Sequence, residues 1–114
     1  MAIQNLLVGL TNTLAYDSNG DNAITSIIVC NLTAFNPLNP TADTYTFSLF
    51  VVPALEVSGT NTLPKHTIVN AIPITAGETL SLDQEKLVLS DNDRLIAVSN
   101  SANKLSITIS SLVV

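Results

Sequence analysis

The chain has one cysteine, one histidine and no tryptophan. A lone Cys30 excludes an internal disulfide, and with His66 as the single imidazole there is no metal-spaced His/Cys set. Charge is also scarce: Asp, Glu, Lys and Arg make up 11% of the residues, against roughly one-quarter in ordinary soluble domains. The four basic residues Lys65, Lys86, Arg94 and Lys104 are scattered through a chain of net charge −5. A phosphate backbone needs clustered Lys and Arg, so no nucleic-acid partner is expected. No apolar run approaches the ~20 residues of a spanning helix, so no membrane role is expected. The start MAIQNLLVGLTN lacks the basic region and cleavage site of a signal peptide, which points to assembly in the cytoplasm.

What remains is aliphatic and polar-neutral. At 114 residues the chain reads as one domain with a single core. Its apolar share of 46% is carried mainly by Leu, Val, Ile and Ala. The surface must be drawn from Ser, Thr, Asn and Gln. Such a surface can lie against neighbouring protein without stripping water from many ions.

The pattern is strands and turns. Residues 11–16, 22–31, 43–52, 67–74, 79–82, 86–89, 94–99 and 105–112 read as strands, separated over much of the chain by turn signals every 8–12 residues. The expected fold is therefore all-β: an antiparallel β-sandwich of about eight strands, Ig-like or jelly-roll. The run ITSIIVCN is nearly continuous in apolar residues, which predicts a strand covered on both faces and a buried, inert Cys30. Residues 43–52 alternate cleanly at first, with Tyr45, Phe47, Leu49 and Val51 on one face. They then turn apolar on both, so one end should be covered on both sides, by the chain's own loop or by a neighbour. Pro73 implies an edge position or a strand end. LDQEKL could form one helical turn. Two polar stretches, LTAFNPLNPTAD and ALEVSGTNTLPKH, read as long loops; loops at one end of a sandwich are where such a fold meets its neighbours.

Residues 1–10 stand apart from the domain formed by 11–114. Ile3, Leu6, Leu7 and Val8 make a sizeable apolar patch for a terminal segment. It is expected as an arm or edge strand that pairs with a neighbouring subunit, extends an open sheet edge or packs on its own domain. Phe35 and Leu38, in the first long loop, complete the candidate contact residues.

The motifs carry little chemistry. In YDSNGDNAI the residues Asp17, Asn19 and Asp21 match positions one, three and five of an EF-hand. Position six, however, is Asn22 rather than Gly, and position twelve is Ile28 rather than Glu. A hairpin turn built on Asn-Gly is the favoured reading, with Asp17, Asn19 and Asp21 as weak metal candidates. Asp83, Glu85, Asp91 and Asp93 bracket the strand 86–89 and read as solvated turns. His66 reads as a surface residue at a strand start. No nucleophile elbow, phosphate-binding loop or catalytic triad is visible, so no enzyme activity and no cofactor are expected.

The segments ITSIIVCN, TFSLFVVP and NAIPITAGETLSLDQEKLVLSDNDRLIAVSNSANKLSITISSLVV resemble small virion proteins of tailed bacteriophages. In these a strand ending Val-Cys-Asn precedes one ending Val-Val-Pro. An Ile-Pro-Ile segment with an Ala-Gly-Glu turn, a short Lys-Leu-Val-Leu strand and a Ser/Thr-rich last strand follow. The similarity runs in order over residues 11–114. It departs at YDSNGDN, where the family's usual turn is Pro-Ala-Gly, and in the length of LTAFNPLNPTAD. The resemblance implies a non-enzymatic virion building block, a capsid cement or decoration protein or a neck or tail accessory. Such a part is homo-oligomeric in the particle and meets copies of itself and other virion proteins. The alternative is a ligand- or carbohydrate-binding sandwich module, which the absence of Trp disfavours, since sugar sites stack on aromatic platforms.

Overall fold

The computed structural model describes residues 2–82 and 87–114. It has nine strands: β1 Ala2–Leu7, β2 Thr13–Asp17, β3 Asn22–Asn31, β4 Tyr45–Val52, β5 Thr67–Ile74, β6 Thr79–Leu82, β7 Leu87–Leu89, β8 Arg94–Ser99 and β9 Leu105–Val113. A single 3₁₀ turn, Pro64–His66, is the only helical element among the described residues. The segment LDQEKL, expected as a helical turn, falls largely outside them.

Two antiparallel sheets pack face to face as a β-sandwich. One has the order β1-β9-β3-β6, with β7 also pairing β3; the other has the order β2-β8-β4-β5. The pairings are nested: β1 with β9, β2 with β8, β3 with β6 and β7, β4 with β5. The chain thus doubles back once and wraps as a long hairpin, which is the strand order of a jelly roll rather than of an Ig domain.

Alternation along each strand supplies the core. Ile107 and Ile109 of β9, Ile24, Ile27 and Val29 of β3, Phe47 and Leu49 of β4, and Leu95 and Ala97 of β8 meet between the sheets and are buried. In β3 the inward residues Ile24 and Ile27 are three apart because a bulge lies between Ile24 and Ser26. One extra residue there lets both face the same side. Among the described residues no second layer covers the outward face of β3. Ile28 is 40% exposed and Cys30 is only half-buried. The expectation of a strand covered on both faces, with a buried thiol, is corrected: the apolar run reflects the bulge, not a second packing layer.

The strand covered on both faces is β8, where Leu95, Ile96 and Ala97 are all buried. Ile96 pairs with Phe50, and Val52 pairs with Arg94, on the outer side of the four-stranded sheet. Ile96 and Val52 are nonetheless 0% exposed. Their cover is the chain's own loop of residues 53–66. Arg94 Nη2 donates to Val57 O, Asn12 Nδ2 donates to Thr60 O at 2.9 Å, and the Ala54 amide donates to Asp93 Oδ1 at 2.9 Å. These bonds draw the loop across the sheet as a roof. They answer the question raised by the doubly apolar end of β4. The other long loop, residues 32–44, sits at the opposite end of the sandwich, so the two are not clustered at one end. Asn31 anchors it: its side-chain amide donates to Asp43 O and Ile74 O, both at 2.9 Å, and its Oδ1 accepts the Thr33 amide.

Pro73 lies in β5, an edge strand as expected. Ala71, in the same strand, holds φ +49 where the register with β4 slips between Phe47 and Leu49. Its amide donates to Ser48 Oγ at 2.9 Å, which holds the bulge in place.

Candidate interaction surface

The turn at YDSNGDNAI is not a hairpin. Strands β2 and β3 belong to different sheets, so residues 18–21 form a corner between them. Only Gly20 has a positive φ, +75, whereas the Asn-Gly hairpin turn needs it at both central positions. Ser18 is the pivot. Its buried hydroxyl donates to Gly20 O at 2.7 Å and accepts from Asn22 Nδ2 at 3.0 Å. Its amide donates to Asp93 O, and its carbonyl accepts from the Asn92 amide. Asp17, Asn19 and Asp21 are all exposed. The Asn19 carbonyl accepts from Asn22 Nδ2, and the Asp21 carbonyl accepts from the Val114 amide. Among the described residues no three of His, Cys, Asp and Glu converge as a metal site.

Asp91 and Asp93 do more than solvate turns. Asp91 Oδ1 accepts the Gly20 amide at 2.8 Å, and Asp93 Oδ2 accepts the Ser90 amide at 2.9 Å. Asp83 and Glu85 lie outside the described residues.

His66 is buried, not a surface residue. Its Nδ1 accepts the Leu63 amide at 3.0 Å, which places the ring proton on Nε2, 3.0 Å from Glu56 Oε1. The same carboxylate oxygen lies 2.7 Å from Lys65 Nζ. The Lys65 ammonium first, and then the His66 ring, hold the Glu56 carboxyl below its ordinary value. Both ring nitrogens are engaged, so the imidazole has no lone pair to offer as a base. The group is a latch that fastens the end of the roof.

A groove of about 320 Å³ opens between the sheets beside β5, lined by Ile27, Ile68, Val69, Leu82 and Leu87. None of these side chains can form a hydrogen bond, so nothing there would orient a polar ligand.

The outer face of the five-stranded sheet is different. By register, Leu7, Asn5 and Ile3 of β1 stand beside Ser106, Thr108 and Ser110 of β9. Those in turn stand beside Cys30, Ile28 and Ser26 of β3, and Leu112 stands beside Ala23. Thr79 and Ser81 of β6 and Val88 of β7 complete the face. Not one of these residues carries a charge. Ile3 is 67% exposed and Val88 69%, with Leu7, Ile28 and Leu112 also exposed. A neutral surface of this kind, with exposed aliphatic residues set among Ser, Thr and Asn, has the low charge found where proteins meet.

Of the candidate contact residues, Ile3, Leu7, Phe35 and Leu38 are exposed. Val8 is fully buried in the core and Leu6 is packed against it, because alternation turns even-numbered positions of β1 inward. Val8 is thus corrected to a core residue and Leu6 to a partly buried one packed on the core. Ile28, Val88 and Leu112, which were not among the expected contact residues, join the surface. Their signal was present only as apolar residues at outward positions, and that needs the register to read. Compared with family models, with curated proteins and with solved structures, the chain matches none of them.

Proposed function

We propose that the chain is a non-enzymatic structural component of a tailed bacteriophage virion, a capsid cement or decoration protein or a neck or tail accessory. It works through contacts with other virion proteins and with copies of itself. The observation that carries this reading is the outer face of the five-stranded sheet, which among the described residues is uncharged and open while the other sheet is roofed. Neutral Ser, Thr and aliphatic side chains can be covered without the penalty of burying ions. The jelly-roll order adds an analogy at the level of fold, since viral capsid domains use it, as do lectins. The resemblance of residues 11–114 to small virion proteins points the same way.

The test is a double substitution, Ile28→Lys with Val88→Lys, followed by co-purification with assembled particles. Both positions are exposed, so the isolated chain should melt as before, whereas incorporation should fall at least about tenfold, the effect of 1.4 kcal/mol. Incorporation at the unsubstituted level overturns the reading. Specific binding on a glycan array would favour a carbohydrate-binding module instead.

A further inference from the structure

Edge strands invite pairing, and most edges of this sandwich are guarded against it. Strand β5 carries Pro73 and the bulge at Ala71. The β3 edge is taken by two short pieces, β6 and β7, of four and three residues. Strand β2 is bulged between Leu14 and Tyr16 and ends in the charge of Asp17. Strand β1, AIQNLL, has none of these devices: no charge, no proline and an unbroken register of six pairs with β9.

Its hydrogen-bonding direction can be read from one bond. The Val8 amide donates to Leu105 O, so even-numbered residues turn their amides and carbonyls toward β9. In a ladder those groups alternate. The amides and carbonyls of Ile3, Asn5 and Leu7 therefore face the open edge.

We infer that β1 pairs antiparallel with β1 of a second copy, about a two-fold axis through Asn5. In this register Asn5 faces the partner's Asn5 and Ile3 faces the partner's Leu7, giving about six main-chain hydrogen bonds. The two five-stranded sheets become continuous, and their uncharged outer faces form one larger surface. A second copy brings the same charge of −5, which favours meeting away from the acidic ends. Asp17, Asp21, Asp91 and Asp93 cluster at the 18–21 corner, and Asp17 lies beside the start of β1, sharing a cavity with Ala2, Ile3 and Gln4. Antiparallel pairing sets the start of each β1 against the end of the other, which keeps the two acidic corners apart. The inference deepens the function proposed above, resting on that reading for its surface, by naming one partner.

The test is made on the isolated chain by sedimentation and cross-linking. Asn5→Pro removes an amide hydrogen that β9 does not use, so the fold should be kept and the dimer lost. Asn5→Lys, which sets two like charges against each other on the axis, should do the same. In a Cys30→Ser background, Asn5→Cys should oxidise to a covalent dimer. Paired Cα atoms there are about 5.5 Å apart, within disulfide reach. Ile3→Cys, facing Leu7, should not. A chain that stays monomeric up to about 1 mM, the weak end of measurable pairing, overturns the inference. So does a dimer untouched by both Asn5→Pro and Asn5→Lys, or Ile3→Cys coupling as readily as Asn5→Cys. A monomer that still enters particles refutes the edge alone; a dimer that never enters them refutes the particle reading alone.

Discussion

The two sheets carry comparable apolar residues on their outer faces and treat them in opposite ways. On the four-stranded sheet, Ile96 and Val52 point outward and are sealed under residues 53–66. On the five-stranded sheet, Ile28 and Val88 also point outward and stay 40% and 69% exposed. The difference teaches that an outward aliphatic residue is not by itself a contact site. What matters is whether the chain has already provided its cover. Where it has, the residue contributes to stability; where it has not, the residue is available to a neighbour.

The largest effect should come from making the same change on both faces. Ile96→Ala beneath the roof should lower stability by about 2–5 kcal/mol, since it leaves a cavity. Ile28→Ala on the bare face should stay within about 0.5 kcal/mol. Urea midpoints at unchanged slope measure both. Equal losses would mean that the bare face is packed in the isolated chain.

A smaller effect follows from opening the latch. His66→Ala strips the Leu63 amide of its acceptor and frees the Glu56 carboxylate, and should cost about 1–3 kcal/mol. Hydrogen exchange should rise across residues 53–66 and remain unchanged in β1 and β9.

The smallest effect is one of pH. Glu56 is held below its ordinary value of 4.5 by Lys65 and His66. A depressed carboxyl contributes stability that is present above the unfolded value and is lost as pH falls through the folded one. Acidification below about 4.5 should therefore loosen the roof, as seen in exchange rates near Glu56, and Glu56→Gln should remove that pH dependence.

The strands could be read from alternation, because β3, β5, β6 and β8 follow the boundaries that their apolar periods and turn residues imply. The faces could not. In ITSIIVCN the bulge beside Thr25 mimics a doubly buried run. In RLIAVS the true double cover depends on a loop that reads as solvent. That loop holds on through the carbonyls of Val57 and Thr60, and backbone groups leave no mark in a sequence. His66 was misplaced for a related reason, since its partners Leu63 and Glu56 come from the same polar stretch and only the folded turn brings them together. The corner at Ser18 looked like a hairpin because Asn-Gly fits one locally; which sheet each flanking strand joins is decided by long-range pairing.

The nested strand order also has a consequence in time. Strands β4 and β5 close a loop of about 14 residues, while β1 and β9 close one of about 100, which costs about 2 kcal/mol more in chain entropy. Pairing should therefore proceed outward from β4–β5, and β1 should dock last. The open edge of β1 then exists only on a molecule whose other strands are already in place, so folding is completed before the strand can recruit a second copy.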